Sequence, residues 1–223
     1  SPLFGVKDPR ITRLLPFWQD VAKSLEAQVS YIIVCRNPRS VVQSLAKRNG
    51  FDLEKGYYLW LDYTLSSLNY TAGQNPIVVD YDNLMADPGN QLRRIADNIG
   101  LVLNTASTEF KEYEIEYLDD GLRHTHFVFE DLILDKASPP VVIELYRLLS
   151  DLAADKIAPD SQKLNSRLSS INKKFKIISN ILTYHQAYDK KLASLELELI
   201  ESKNQIAGYK QVVIEREKQI AER

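Results

Sequence analysis

Tyr31-Ile32-Ile33-Val34-Cys35-Arg36-Asn37-Pro38-Arg39-Ser40-Val41-Val42-Gln43-Ser44-Leu45 is the stretch on which the fold turns. Residues 31–35 form a short apolar run rich in β-branched side chains, the pattern of a covered parallel strand. Asn37 suits the position before a helix, and Pro38 suits its first turn. The spacing predicts a strand that runs straight into a helix. Such a helix points free backbone N–H groups and the positive end of its dipole at the strand's C-terminal edge. Arg36 stands at that edge. Ser40 and Ser44, one helical turn apart, share a face. An arginine, a helix start and two hydroxyls suit an anion, above all a phosphate. The plain alternative is a strand–turn–helix whose arginine pairs with a neighbouring carboxylate.

Arg36 followed by Ser44 at a strand–helix junction resembles the 3′-phosphate-binding motif of sulfotransferases that use PAPS (3′-phosphoadenosine 5′-phosphosulfate). Arg36-Asn37-Pro38, Val41-Val42, Ser44-Leu45-Ala46 and Arg48-Asn49-Gly50 look like the bacterial branch of that family. Three further segments match in family order. Val6-Lys7-Asp8-Pro9-Arg10, after Leu3-Phe4, resembles a K-D-P-R segment that ends a core strand. Ile77-Val78-Val79-Asp80-Tyr81-Asp82-Asn83-Leu84 with Asp87-Pro88 resembles a later strand leading into a helix, with Tyr81 and Asp82 as scaffold. Leu122-Arg123-His124 resembles an L-R-H that follows the last core segment. Each also has a bland reading: Lys7 as a solvated lysine beside an Asp-Pro turn, and Arg123 as a surface residue after Asp119-Asp120-Gly121. One departure stands out. The family opens with a strand, a Gly/Ser/Arg-containing loop for the 5′-phosphosulfate and a helix, and nothing here resembles that loop. The expectation is a chain that lacks the first strand–loop–helix and is by itself inactive.

Composition fits a globular domain with an extension. The chain has 223 residues, 44% of them hydrophobic, a normal fraction. No apolar run reaches the ~20 residues that span a membrane, and no signal peptide is visible. The single cysteine, Cys35, rules out an internal disulfide and a cysteine-based zinc site. It reads as a small buried hydrophobe. The three histidines (His124, His126 and His185) lack accompanying carboxylates, so no metal site is expected. Residues 156–223 carry 13 basic and 8 acidic side chains, and residues 1–155 carry 15 and 22. The tail's positive charges are interleaved with acids and lack an aromatic alternation, so no nucleic-acid surface is expected.

Hydrophobic periodicity predicts a helix over residues 10–28, with Leu14, Leu15, Trp18, Val21 and Leu25 inward. It predicts further helices over 38–47 and 52–70, the second with an aromatic stripe of Tyr57, Trp60, Tyr63 and Tyr70. A strand over 77–81 and a helix from Pro88 to Gly100, with Leu92, Ile95 and Ile99 inward, come next. Residues 101–135 read as irregular, with Tyr113, Ile115 and Tyr117 extended at an edge. Pro139-Pro140 opens a helix that buries Val142, Leu145, Leu149 and Leu152. Alternating strands and helices give an α/β fold, a parallel sheet with helices on both faces.

After Ala158-Pro159-Asp160 the character changes. Leu192, Leu199, Ile206, Val213 and Ile220 lie seven apart, a heptad seam. Leu195, Ser202, Tyr209 and Arg216 occupy the companion positions, so the seam weakens toward the end. Two parts are expected: an α/β domain over 1–155 and a helical extension over 156–223, coiled coil from about 185. The seam calls for a partner helix, from a second copy or from a segment outside this sequence; the resemblance implies a fused glycosyltransferase domain as another partner, of the kind found beside such bacterial domains. The remaining option is a long helix folded onto the body.

The resemblance implies a cytoplasmic domain with a P-loop NTPase-like core, its first strand–loop–helix missing. It implies binding of PAPS or adenosine 3′,5′-bisphosphate and transfer of sulfonate to a carbohydrate hydroxyl of a polysaccharide. It assigns Arg36 and Ser44 to the 3′-phosphate, with Ser40 and Arg123 as accessories, and makes Lys7 a catalytic cation. The alternative is a non-catalytic nucleotide-binding or scaffolding module that oligomerises through its coiled coil.

Overall fold

The computed structural model describes residues 3–113 and 126–221. They form two compact units, residues 1–172 and residues 173–223. The first unit is mostly helical around a small parallel sheet. Its order is α1 (Ile11–Ser24), β1 (Ile32–Cys35), α2 (Pro38–Asn49), α3 (Leu53–Tyr70), β2 (Ile77–Asp80), α4 (Tyr81–Ala86), α5 (Pro88–Ile99), α6 (Thr108–Glu112), α7 (Phe129–Leu134) and α8 (Pro140–Ala153). A long helix, α9 (Gln162–Ala221), follows and carries the chain from the first unit into the second.

Among the described residues the sheet has two strands, β1 and β2, paired in parallel from Ile32↔Ile77 to Cys35↔Asp80. All four residues of β2 are buried. On β1, Ile32 and Val34 share one face and are exposed, so helices cover both faces of β2 but only part of β1. The core lies between β2, α3 and α8. Tyr57, Leu61 and Leu65 of α3 and Val142, Leu145, Leu148 and Leu149 of α8 are fully buried there. Spaced three or four apart, they make the continuous apolar stripe that holds a helix on a core. The aromatic stripe of α3 splits: Tyr57 and Trp60 are core, whereas Tyr70 is exposed.

Both strands end by turning directly into helices. Asn37 caps α2 by accepting from the Arg39 N–H at 3.0 Å. Asp80 caps α4 by accepting from Asp82 N at 2.9 Å and Asn83 N at 3.0 Å. The second strand therefore stops one residue before its expected end, because the Asp80 carboxylate starts a helix there. Gly50 and Gly100 close α2 and α5 in the left-handed conformation, with φ of 66° and 71°.

Three expectations need correction. No strand forms near residues 3–7: the segment is irregular, and Leu3, Phe4 and Val6 are exposed. Nothing among the described residues offers it a hydrogen-bonding strand. On α1 the expected inner stripe faces outward, with Leu14, Trp18 and Leu25 exposed and Leu15 alone buried. The helix rests on α3 through polar contacts instead: Thr12 Oγ1 lies 3.4 Å from Ser67 Oγ, Arg13 pairs with Asp62, and Gln19 donates to Tyr70 O at 2.8 Å. Residues 101–135 are not wholly irregular. Ser107 accepts from Phe110 N at 3.2 Å and so caps α6, which runs up to Tyr113 in helical backbone. Ile115 and Tyr117 lie outside the described residues.

The first unit extends past residue 155 because Ile157, Leu164, Leu168 and Ile171 are buried in it. Arg167 bonds Asp151 at 2.6 Å, and Asn172 exchanges amide hydrogen bonds with Asn69 at 2.9 Å. The second unit is the remainder of α9, a single exposed helix.

Candidate functional site

The C-terminal edge of the sheet gathers the polar groups of the first unit. β1 delivers Arg36, whose guanidinium lies over the Tyr81 ring at 4.9 Å. Tyr81 is the first residue of α4, so the Asp80 cap fixes its ring beneath the arginine. Stacking of this kind orients a planar guanidinium, whose N–H groups can only donate. Tyr81 thus does more than the scaffold role expected of it.

Asn37 is fully buried and makes three hydrogen bonds. Its Oδ1 caps α2, and its Nδ2 donates to Phe127 O at 2.8 Å and Val128 O at 2.9 Å. The first turn of α2 is thereby fastened to the chain that enters α7. Arg39 adds a second fastening. Its Nη1 donates to Asp131 O at 2.8 Å, and its guanidinium covers the Phe127 ring at 4.5 Å. Its Nε lies 3.6 Å from Asp135 Oδ2. Asp135 also accepts from the Tyr57 hydroxyl at 2.7 Å. Burial, and then that carboxylate, push the Tyr57 phenol well above its ordinary value.

Ser40, in the first turn of α2, is completely buried, and its hydroxyl has no hydrogen-bond partner among the described residues. Ser44, one turn later on the same face, is exposed. Lys7 is exposed on the irregular segment before α1, without a hydrogen bond or ion pair among the described residues. Arg123 lies outside the described residues. Of the expected set, then, Arg36, Ser40 and Ser44 share the β1–α2 junction, whereas no strand end carries Lys7 to the sheet.

Asp80 is the buried charge at this edge. Its Oδ2 lies 3.9 Å from Cys35 Sγ and 3.5 Å from the Tyr146 hydroxyl. Burial raises its carboxyl, against the lowering effect of the two backbone bonds it accepts. Because the folded group keeps its proton at higher pH than the unfolded one, ionised Asp80 destabilises the fold, and that cost fades as the pH falls. Burial and the nearby Asp80 charge also push the Cys35 thiol and the Tyr146 phenol upward. Trp60 and Phe129 pack on Tyr146, with ring centroids at 6.3 Å and 5.8 Å. A thiol held neutral and covered in this way is a poor nucleophile. Native protein at pH 7.5 is expected to leave Cys35 unmodified by a maleimide over an hour. One equivalent should react once the chain is unfolded in guanidinium. Rapid native labelling would mean that the strand ends are open.

The sequence reading missed Arg39 and the bonds from Asn37 to Phe127 and Val128. Asn37 was legible as a cap, but its amide donors point at chain some 90 residues away, and no local pattern encodes that. Asp135 followed by a Ser-Pro-Pro turn carried no signal either.

A cavity at the other end of β2 is lined by Ile77, Val78, Arg94, Leu152 and Asp155. Arg94 donates to Val78 O at 2.8 Å and to both Asp155 oxygens at 2.6 and 2.5 Å. Its hydrogen bonds, and then its charge, hold the Asp155 carboxyl below the usual range. Among the described residues no group of His, Cys, Asp or Glu is arranged to hold a metal ion. No described helix is long and apolar enough to cross a membrane.

No family model, curated protein or solved structure matches this chain.

Proposed function

We propose that the β1–α2 junction binds the 3′-phosphate of adenosine 3′,5′-bisphosphate or PAPS, in a P-loop-type domain that serves sulfonate transfer to a carbohydrate hydroxyl. The observation that carries this reading is the junction itself. Arg36 ends a parallel strand, a capped helix follows at once, and Ser40 sits in its first turn with an unbonded hydroxyl. Parallel strand ends are where open α/β sheets place ligands, and helix N-termini favour anions. Arg36 would supply charge and a planar fork, with Tyr81 holding its orientation. The N-terminal turn of α2 would add its dipole, and Ser44 a solvent-facing hydroxyl. When bound, PAPS supplies a sulfonate whose S–O bond to phosphate breaks as an acceptor hydroxyl oxygen bonds the sulfur and loses its proton. This chain's own residues bind and orient at the 3′ end.

A second reading, a non-catalytic nucleotide-binding or scaffolding module, is favoured by one observation. Neither strand–helix junction, Arg36-Asn37 or Asp80-Tyr81, contains a glycine, so neither offers the supple loop that cradles a 5′-phosphosulfate. Both readings share the 3′-phosphate site.

Calorimetry tests that site directly. Adenosine 3′,5′-bisphosphate is expected to bind roughly tenfold to a hundredfold more tightly than adenosine 5′-phosphate, the worth of a charge-assisted contact. Arg36→Ala should erase the difference, and Arg36→Lys should keep only part of it. Equal binding of the two nucleotides to the wild type would refute the site. Transfer of labelled sulfate from PAPS to a glycan by this chain would rule out the module.

A further inference from the structure

We propose that the second unit pairs with a second copy of itself as a parallel, in-register two-stranded coiled coil. The seam is present and uncovered. Leu192, Leu199, Ile206 and Val213 lie on one face of α9 and are each about half exposed, as is Leu195 beside them. They take the a positions of successive heptads, and Leu195, Ser202 and Tyr209 take the d positions. A seven-residue repeat of this length demands a neighbour that follows the same supercoil.

The charges flanking the seam fit a second copy aligned in parallel. In a parallel pair, each g residue faces the e residue five positions later on the partner. Here those pairs are Lys191 with Glu196 and Glu198 with Lys203, both of opposite sign. The next two, Gln205 with Lys210 and Val212 with Glu217, set a charge against a neutral side chain. No like charges meet. The antiparallel pairing that opposes Ile206 to Tyr209 brings Lys203 against Lys210 and Glu196 against Glu217, like charges along one side of the seam. The helix is thus complementary to its own copy in the parallel, in-register arrangement. Ser202 and Tyr209 at d make the seam weak, so the dimer depends on concentration.

Sedimentation of the full chain should show a monomer–dimer equilibrium, and Ile206→Asp should leave monomer only. Direction is read with cysteine probes in a Cys35→Ser background. Leu199→Cys and Arg216→Cys stand at an a and a d position that would face each other in the antiparallel pairing of Ile206 with Tyr209. Under mild oxidation each should form a disulfide-linked dimer alone, because identical residues face each other in a parallel pair. Cross-linking that appears only when the two variants are mixed would show an antiparallel pair and overturn the proposal. Charge reversal gives an independent check. Glu198→Lys and Lys203→Glu should each weaken the dimer roughly fivefold, and the double variant should recover it. A wild type that stays monomeric at high concentration, or a trimer, would also overturn it.

Discussion

Asn37→Ala is expected to cost the first unit about 3 kcal/mol. The N-cap contributes about 1 kcal/mol, and each of the two hydrogen bonds lost to the part-buried carbonyls adds about 1 kcal/mol. The informative partner is Asn37→Asp. Aspartate caps helices as well as asparagine does. At this position, however, its second oxygen would face the Phe127 and Val128 carbonyls, which need donors. Asn37→Asp should therefore be no more stable than Asn37→Ala. Urea unfolding followed by tryptophan fluorescence measures the difference. An aspartate variant as stable as the wild type would reduce Asn37 to a simple cap. Hydrogen exchange should localise the damage, with faster exchange at the start of α7 and in the first turn of α2. Nucleotide binding should weaken in step, because the same turn carries the proposed phosphate site.

Gly56→Leu is expected to cost about 3 kcal/mol or to prevent folding. Gly56 lies inside α3, where glycine is otherwise unfavourable by about 1 kcal/mol relative to alanine. It is there because α2 crosses closely: a β-carbon on Gly56 would stand 2.8 Å from Val42 Cγ1. Val42 is itself buried, so it cannot swing away. Overpacking of this kind costs about 1–3 kcal/mol. A double-mutant cycle isolates the cause. Gly56→Ala should destabilise the wild type, yet stabilise a Val42→Ala background by up to about 1 kcal/mol, where helix propensity alone remains. If Gly56→Ala stabilises both backgrounds equally, the two helices are not in close contact.

The parts of the fold that sequence disclosed are those written in local patterns. Asn37-Pro38, Asp87-Pro88 and Pro139-Pro140 each open a helix where they stand, and Gly100 closes one. The run at 31–35 and its partner at 77–80 pair in parallel, as their apolar, β-branched composition requires. The 3.6-residue periodicity of α8 identified its buried residues. The same rule failed on α1, where the apolar stripe is real but faces away from α3. Periodicity reveals that a face exists and is silent about which neighbour takes it. The strand expected at residues 3–7 failed for a related reason: β-structure needs a partner, and a short run carries no record of whether one is at hand. At the candidate site, the cap and the arginine were legible from spacing. Arg39, Tyr81 and Asp135 were not, because each acts through a contact made far along the chain.

The reach of Asn37 also bears on when the site can exist. Its amide bonds chain 90 and 91 positions downstream. Helix α2 can wind within microseconds from its own residues. Its first turn, however, stays unfinished until the chain beyond residue 128 has been made and has docked. Contacts this remote close late, after the local ones have been paid for in loop entropy. During synthesis from the N-terminus, α2 therefore emerges with an open end, and the junction closes only after most of the first unit has left the ribosome.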